Sequence, residues 1–365
     1  MTIAGAQSRT SPRYDQVARQ YDALLLLSFG GPEGPDDVIP FLENVTRGRN
    51  VPRERLDEVA GHYLHFGGVS PINEQNRALI VALRDELRRQ EILLPIYFGN
   101  RNWEPFVTDT IARMRADGVQ RALVFVTSAF SSYSGCRQYR EDVTRAVDAL
   151  DVADAITFDK IRGFYNHPGY IETMIELTAE RVHRIPPDRR ATTEIIFTAH
   201  SIPLSMAQGC AYEKQLLTSS SLVAGALELS SWRLAYQSRS GPPAVPWLEP
   251  DILDELETLP AAGFTDAVIV PIGFISDHME VLFDLDHEAA ERAEELGLGF
   301  QRVPTAGIHP RFVSMIRELI EERMTVDPHR PALGPAGPLH DICPLNCCLI
   351  GAGRPASRAA SAAHS

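Results

Sequence analysis

Residues 193–203 read TEIIFTAHSIP, a short apolar run that ends in a polar turn. Four other stretches share this arrangement: YDALLLLSFGG at 21–31, LLPIYFGN at 93–100, RALVFVTSAFSS at 121–132 and DAVIVPIGF at 266–274. Amphipathic stretches such as EPFVTDTIARMRADG, at 104–118, lie between them. Fully apolar strands that alternate with helices are typical of a parallel sheet covered on both faces. The sequence therefore predicts an α/β fold.

The series of strand and helix patterns restarts near RGFYNHPGYIETMIELTAERV, residues 162–182. We therefore predict two Rossmann-like lobes, each a parallel sheet flanked by helices, with a cleft at the carboxyl ends of the strands. The predicted divisions of the chain are a disordered leader at 1–19, a first lobe at 20–162, a second lobe at 163–307, a C-terminal helix that packs back at 308–326, a linker with a cysteine segment at 327–350 and a disordered tail at 351–365.

The composition argues against several classes of function. The chain has 365 residues, a hydrophobic fraction of 44% and a net charge of −13. Nucleic acid is not an expected partner, since binding a phosphate backbone requires a basic face. The early apolar run is far shorter than the roughly 20 residues of a membrane-spanning helix, and no signal peptide is recognisable. We expect no integral membrane segment and a cytoplasmic location, where clustered cysteines bind metal more often than they form disulfides.

His200 lies where the strand of residues 193–203 ends, at the edge of the sheet where α/β proteins bind ligands. An imidazole at this position can accept a proton near neutral pH or coordinate a metal ion. The alternative is a strand-end histidine that is hydrogen-bonded to the backbone.

The stretch PIGFISDHMEVLFDLDHE, residues 271–288, is rich in acidic side chains. If it is helical, Glu280, Asp284 and Glu288 recur every four residues and form an acidic stripe on one face. Like charges at this spacing destabilise a helix, so the presence of the stripe calls for a functional explanation. Binding of a hard cation would provide one. The alternative is that Asp277 caps the helix, that Glu280 closes a capping box, and that the other side chains face water.

Three of the five cysteines, Cys343, Cys347 and Cys348, lie within six residues near the end of the chain. Thiolates this close could bind Zn²⁺ or an iron–sulfur cluster, and both commonly take four ligands. A fourth ligand must then come from elsewhere in the chain, where Cys136 and Cys210 are the other cysteines.

Seven motifs resemble the ferrochelatase family in their order and spacing, over roughly residues 20–325. They are SFGGPEG, FLENVTRGR, HFGGVSPIN, FGNRNWEPF, TAHSIP, YQSRSGPPAVPWLEPD and PIGFISDHMEVLFDLDHE. The resemblance implies two Rossmann-like lobes and a lyase of heme biosynthesis that inserts Fe²⁺ into a porphyrin with release of two protons. A protein that accepts the product is an implied partner.

By the same resemblance, His200 corresponds to the active-site histidine of the family, and Glu280 to its partner across the porphyrin plane. Both are candidate catalytic residues and candidate ligands of the substrate iron. Metallation must remove two pyrrole protons, which requires a base close to the ring, and iron transfer suits imidazole and carboxylate ligands. Asp284 and Glu288 are further metal ligands on an acidic path to the surface. Whether His200 or Glu280 takes the protons stays open.

Phe29, Arg47, Ser70 and Tyr139 are the candidate porphyrin-binding residues. Phe29 replaces a tyrosine that can ligate the metal in some relatives, so that ligand is absent here. Other relatives have an arginine at the position of His62, which weakens a simple transfer of propionate contacts. The other three candidates are expected to bind propionates, and a guanidinium group in particular suits a carboxylate.

The resemblance favours coproporphyrin III as the substrate and coproheme as the product. No apolar lip insertion follows HFGGVSPIN, whereas enzymes that act on protoporphyrin IX tend to have apolar lips and to associate with membranes. The alternatives are a protoporphyrin IX ferrochelatase that makes protoheme, a cobalt or nickel chelatase of the same fold, and a non-catalytic iron–sulfur or heme sensor. The sensor hypothesis predicts an inert cleft.

Some ferrochelatases bind a [2Fe–2S] cluster through three C-terminal cysteines and one upstream cysteine. Cys136 in SSYSGCRQYRED resembles the upstream ligand, so the implied ligands are Cys136, Cys343, Cys347 and Cys348. The tail spacing is tighter than in most relatives, which leaves room for Cys210 to replace one tail ligand. We expect the cluster to hold the Pro/Gly-rich tail against the first lobe and not to perform the chelation.

Overall fold

The computed structural model describes residues 18–242 and 244–351. It contains two parallel four-stranded sheets, each flanked by helices, so the predicted two-lobe α/β fold is confirmed. The predicted leader and tail fall almost wholly outside the described residues and stay predictions, as do the predicted divisions of the chain. None of the helices in the described part of the chain is long and apolar enough to cross a membrane.

The first lobe is a sheet with the strand order β2-β1-β3-β4. Its strands are β1 (Ala23–Ser28), β2 (Ile96–Asn100), β3 (Arg121–Val126) and β4 (Thr157–Lys160). Its helices are α1 (Val38–Val45), α2 (Arg53–His65), α3 (Ile72–Arg89), α4 (Val107–Ala116) and α5 (Gln138–Leu150), with a 3-10 turn at Pro35–Asp37 and a π-helical turn at Tyr133–Arg137.

The second lobe repeats this order of strands as β6-β5-β7-β8. Its strands are β5 (Thr193–His200), β6 (Arg233–Gln237), β7 (Asp266–Val270) and β8 (Gly299–Arg302). Its helices are α6 (Pro168–His183), α7 (Leu204–Ala207), α8 (Tyr212–Ala226), α9 (Ile252–Thr258), α10 (Met279–Val281), α11 (Ala290–Glu295) and α12 (Pro310–Met324), with a 3-10 turn at Arg190–Thr192 and a π-helix at Leu282–Ala289.

The unbroken apolar run in β1 follows from burial of both faces of the sheet. Leu24 and Leu26 pack in the same core as α3, whereas Leu25 and Leu27 pack in a separate core with α4 and α5. Successive side chains of a strand point to opposite faces, so a strand between two helical layers needs apolar residues at every position.

Helix α12 packs against α3 and α6 and joins the two lobes in one core. The ring of Phe312 lies 6.0 Å from that of Phe164 and 6.2 Å from that of Tyr170. At the surface of this contact, Arg317 Nε of α12 donates to Glu86 Oε1 of α3 at 3.2 Å. The two sheets are therefore held by a shared apolar core as well as by polar contacts.

The chain after α12 is fixed on the protein by buried polar contacts. Arg162 donates to both carboxylate oxygens of Glu322 at 2.7 Å and also to Pro331 O at 3.0 Å. Nearer the cysteines, Arg330 Nη2 lies 2.8 Å from Asp341 Oδ2. Removing one partner of a buried ion pair costs about 3–5 kcal/mol of stability. These contacts hold residues 327–342 in place before the cysteine segment begins.

Candidate active site and cysteine site

His200 is the last residue of β5, where its main chain is in register with Gln237 at the end of β6. Nδ1 of the imidazole contacts the carbonyl oxygen of Ser201. A ring nitrogen that donates to a carbonyl fixes the tautomer, so Nε2 is the nitrogen that can accept a proton or bind a metal. Nε2 faces Glu280 Oε2 at 3.6 Å. This distance is too short for a porphyrin ring to lie between the two groups, so the expectation that they face each other across the porphyrin plane does not fit this structure.

Glu280 lies between two imidazoles, since His278 Nδ1 is 3.7 Å from the same oxygen, Oε2. Burial raises the pKa of Glu280, but the charge of His200 and its hydrogen bond lower it to about 2. Burial lowers the pKa of His200, and the attraction of Glu280 outweighs this effect and raises it to about 8. The pKa of His278 is lowered by burial. At neutral pH the site therefore contains a His200–Glu280 ion pair beside a neutral His278.

The acidic stretch is helical from Met279, and most of it is a π-helix. A π-helix is wider than an α-helix and is frequent at functional sites. The alternative in which Asp277 caps this helix is wrong, because the residue before Met279 makes no side-chain cap and Asp277 Oδ1 instead accepts from Arg302 Nη1 at 2.9 Å.

Asp284 lies one turn beyond Glu280, at the base of the acidic stripe. Its Oδ2 accepts hydrogen bonds from Ser238 Oγ and from Gln237 Nε2, the latter at 3.3 Å. Burial and the nearby charges of Glu280 and Glu288 raise the pKa of Asp284 to about 7, against the opposing hydrogen bond from Ser238. Burial also raises the pKa of Glu288. The carboxyl groups of the stripe therefore differ in pKa, which is lowered for Glu280 and raised for Asp284 and Glu288.

Two of the predicted porphyrin-binding residues lie on either side of one arginine. The guanidinium carbon of Arg101 is 5.7 Å from the ring centre of Phe29 and 4.6 Å from that of Tyr139. Arg101 is also paired with Asp142. Phe29 is 36% exposed, whereas Tyr139 is only 5% exposed. Phe29 therefore presents a ring to the solvent, and Tyr139 supports it through Arg101.

The other two predicted porphyrin-binding residues lie apart from this pair. Arg47 is exposed in the turn after α1. Ser70 is buried, and its backbone N–H donates to Pro32 O at 2.8 Å. A Cβ atom at Gly31 would lie 2.6 Å from Ser70 Cβ, so Ser70 closes tightly over the glycine turn that follows β1. Their proposed contact with propionates stays a prediction.

Aromatic contacts join the two lobes beside the acidic stripe. The ring of His62 in α2 stacks on Phe283 at 3.8 Å with an angle of 4° between the planes. His65 stacks on His287 at 4.4 Å. These contacts bring α2 against the π-helix.

Tyr63 was not identified from the sequence. It is buried, and burial together with the negative charges of Glu280 and Asp284 raises its pKa above the usual value. A neutral hydroxyl beside two carboxylates can donate a hydrogen bond to them. The tyrosine lies one residue after His62, and its helical position gives no sign that it faces carboxylates in the other lobe.

Four cysteines converge at the predicted metal site. Cys347 Sγ and Cys348 Sγ are 3.5 Å apart. Hydrogen bonds from Cys343 and Cys348 lower the pKa of Cys136 well below its usual range, and contacts with Cys343 and Cys348 do the same for Cys347. The pKa values of Cys343 and Cys348 are raised in turn. The four thiols therefore share protons, and the thiolate form is favoured at Cys136 and Cys347.

A lysine and a histidine at this site were not predicted. Lys160 Nζ, at the end of β4, lies 3.0 Å from Cys136 Sγ, and its charge favours the thiolate there. Lys160 is one of only two lysines in a chain with 35 lysine and arginine residues. His340 Nε2 is 3.9 Å from Cys347 Sγ, and the ligand atoms of His340, Cys343 and Cys347 all lie within 4.8 Å of one another.

The tail is fixed to the turn that contains Cys136. Arg137 Nη1 donates to Leu345 O at 2.8 Å and to Cys347 O at 3.0 Å. Cys210 is placed differently, because its thiol donates to Met206 O at 3.3 Å, within its own helical turn. The cysteine segment is therefore bound to the first lobe through Arg137 as well as through the thiols that gather around Cys136.

Comparison with known proteins agrees with the resemblance found in the sequence. The profile of the ferrochelatase family matches residues 21–324. A ferrochelatase from Rhodopirellula baltica is 54% identical over 336 residues, which cover 92% of this chain and 95% of the relative. The coproporphyrin III ferrochelatase of Streptomyces coelicolor is 50% identical over 368 residues, covering 95% of this chain and 98% of the relative. That of Frankia alni is 53% identical and covers 92% and 88%.

Among solved structures, the sirohydrochlorin chelatase SirB from Bacillus subtilis subspecies spizizenii, in complex with cobalt, aligns with a TM-score of 0.48 at 10% identity. The alignment covers 84% of this chain and 96% of that protein.

Proposed function

The chain belongs to the ferrochelatase family, and on this premise we propose that it inserts Fe²⁺ into coproporphyrin III to form coproheme, with release of two protons. The observation that carries the proposal is the pairing of His200 Nε2 with Glu280 Oε2 at 3.6 Å, at the carboxyl end of β5. In α/β folds this end of the sheet binds ligands. The pair supplies a group that accepts protons and a carboxylate that binds iron.

The electrostatics of the pair favour His200 as the base. A base works best when its pKa is close to the working pH, and the pKa of His200 is about 8 whereas that of Glu280 is about 2. At rest the imidazole holds a proton. The positive charge of an Fe²⁺ ion arriving at Glu280 disfavours the protonated imidazole. His200 then loses its proton and can accept one from a pyrrole nitrogen through Nε2.

Asp284 and Glu288 extend this chemistry away from the ring. With a pKa of about 7, Asp284 exchanges protons readily near neutral pH. A carboxyl group that releases its proton when a cation approaches can bind Fe²⁺ and then pass it to the permanently ionised Glu280. The same groups can carry pyrrole protons outward after transfer.

The names of the close relatives from Streptomyces coelicolor and Frankia alni support coproporphyrin III as the substrate. We expect the purified enzyme, given equal concentrations of coproporphyrin III and protoporphyrin IX with limiting Fe²⁺ under anaerobic conditions, to form mainly coproheme. Product ratios are measured by chromatography after acid extraction. A preference for protoporphyrin IX would make the protoheme alternative correct, and failure with both porphyrins would contradict the ferrochelatase activity.

We further propose that Cys136, Cys343, Cys347 and Cys348 hold a [2Fe–2S] cluster. The donors fit, since four thiols converge, the pKa values of Cys136 and Cys347 are lowered, and the ammonium of Lys160 lies 3.0 Å from Cys136 Sγ. When bound, such a cluster supplies one-electron redox chemistry. The chain's own contribution is to join the tail to the first lobe. The alternative is a zinc ion bound by Cys343, Cys347 and His340 with a fourth thiolate.

Replacing Cys136 with serine tests the cluster. We expect the purified wild-type protein to be brown and to contain two iron atoms per chain, and the variant to be nearly colourless because serine is a poor ligand for iron–sulfur clusters. Cys210→Ser is the matched control and should keep its colour. Loss of colour in the control but not in Cys136→Ser would make Cys210 the ligand. A colourless wild type with one zinc ion per chain would favour the zinc alternative.

The physiological setting also stays a prediction. We expect a cytoplasmic enzyme that passes coproheme to a protein acceptor of the heme pathway.

A further inference from the structure

Ser238 has an uncommon backbone conformation next to the acidic stripe. It directly follows β6, and its φ is +62°, in the left-handed region that non-glycine residues rarely adopt. Such conformations cost free energy and persist where the surrounding structure requires them, most often at functional sites. A turn without any further role would be formed more easily by glycine.

The hydroxyl of Ser238 explains why glycine is not used there. Ser238 Oγ donates to Asp284 Oδ2, and Gln237 Nε2 donates to the same oxygen at 3.3 Å. Gln237 Nε2 also contacts the backbone carbonyl of Glu280 at 3.2 Å, and the Gln237 side chain is almost wholly buried. Two consecutive residues of one turn thus hold a single oxygen of Asp284 and fix it relative to Glu280.

Ser238 and Gln237 both donate to Oδ2 of Asp284. The other carboxylate oxygen, Oδ1, is therefore the one that can bind a cation. Hydrogen bonds orient a metal-binding carboxylate, and their loss typically costs 10–100-fold in metal affinity or activity.

We propose that Ser238 is a positioning residue that orients Asp284 to receive Fe²⁺ on its way to Glu280. The proposal rests on the function proposed above, since it assigns a step in iron delivery within the same site. Ser238 acts only through Asp284 and does not itself touch the reacting atoms.

Two substitutions separate the hydroxyl from the backbone conformation. Ser238→Gly adopts the left-handed conformation without strain but lacks the donor, whereas Ser238→Asn tolerates the conformation and keeps an N–H donor. We expect Ser238→Gly to have an unchanged or higher Tm and a KM for Fe²⁺ raised roughly tenfold, with the KM for coproporphyrin III unchanged. Ser238→Asn should recover most of the loss. Ser240→Gly, in the same loop and exposed, should behave like the wild type.

Binding of Mn²⁺, followed by electron paramagnetic resonance on the purified full-length protein, gives a readout that does not depend on turnover. Mn²⁺ prefers carboxylates to thiolates, so it reports on the acidic stripe and not on the cysteines. We expect weaker Mn²⁺ binding in Ser238→Gly than in Ser238→Asn or the wild type.

An unchanged KM for Fe²⁺ with unchanged Mn²⁺ affinity in Ser238→Gly would overturn the proposal, as would equal impairment of the glycine and asparagine variants. If the wild type metallated neither porphyrin, the proposed function would fail, and the Mn²⁺ comparison would still decide the role of Ser238.

Discussion

Replacing His200 with alanine should lower the rate of iron insertion by roughly 10²–10⁴-fold, the range for loss of a positioned acid–base group. The imidazole is the group in the site whose pKa, about 8, suits proton transfer from the porphyrin at neutral pH. Glu280 remains in this variant, and its pKa rises because the charge and hydrogen bond of His200 no longer lower it, so the residual rate reports proton transfer to this carboxylate. The rate is measured as coproheme formation from Fe²⁺ and coproporphyrin III without oxygen.

The control for this variant is His183→Ala, which removes an exposed imidazole at the end of α6 and should leave the rate unchanged. Quenching of coproporphyrin fluorescence should show that His200→Ala still binds the porphyrin, and its cysteine site should keep the colour of the wild type. A His200→Ala variant that turned over within a few-fold of the wild type would show that this pair is not the chelation site, whereas the sensor hypothesis predicts no turnover by either protein.

Glu280→Gln should lower the rate by a comparable factor and also move its dependence on pH. At Fe²⁺ concentrations well below its KM, where the rate reports the iron-free site, the wild-type rate should rise as the pH passes through about 8, because His200 must be neutral to accept a proton. Glu280 raises the pKa of His200, so removing its charge lets burial lower that pKa. The residual activity of the variant should therefore rise at a lower pH than that of the wild type.

The measurement is the initial rate between about pH 5.5 and 9, with Fe²⁺ kept reduced and with saturating coproporphyrin III. Asp284 also titrates in this range, at about 7, so Asp284→Asn serves as the control and should move the rise less than Glu280→Gln does, because Asp284 raises the pKa of His200 less than Glu280 does. If the rise in Glu280→Gln stayed at the pH of the wild type, His200 would not be the group whose deprotonation permits the reaction.

Much of the fold could be predicted because burial dictates the sequence of central strands. The five predicted strands β1, β2, β3, β5 and β7 include every strand with a neighbour on both sides. The strands missed were β4, β6 and β8, which lie at sheet edges. Sequences such as TFDK and GFQR are only partly buried, so they contain no apolar run that would mark them as strands.

The pairing of His200 with Glu280 was implied by the resemblance to the ferrochelatase family, whereas the sequence itself placed only His200 at the end of a strand. The details of the pair could not be predicted. Whether a histidine or its carboxylate partner holds the proton depends on burial and on the 3.6 Å between them. Likewise, Ser238 and Asp284 are 46 residues apart in the chain, and no sequence pattern joins a turn to a helix at that distance.

The cysteine site could also be predicted only in part. The three tail cysteines lie close together in sequence and were easily recognised. Lys160 approaches the site only because β4 ends beside the turn that contains Cys136. The site uses the π-helical turn of the first lobe and the tail, whereas the His200–Glu280 pair uses the end of β5 and helix α10 in the second lobe. The two centres are therefore formed by different elements, which agrees with a structural or redox role for the cysteines and a catalytic role for the pair.

Iron insertion at the His200–Glu280 pair can be followed together with its protons in one anaerobic, weakly buffered reaction. Absorbance reports coproheme, and a pH indicator reports the protons released from the pyrrole nitrogens. We predict two protons per coproheme with the wild type, and neither signal when Fe²⁺ or the porphyrin is omitted. Full-length protein with its cysteine site intact that formed no coproheme and released no protons would contradict the proposed chelatase activity.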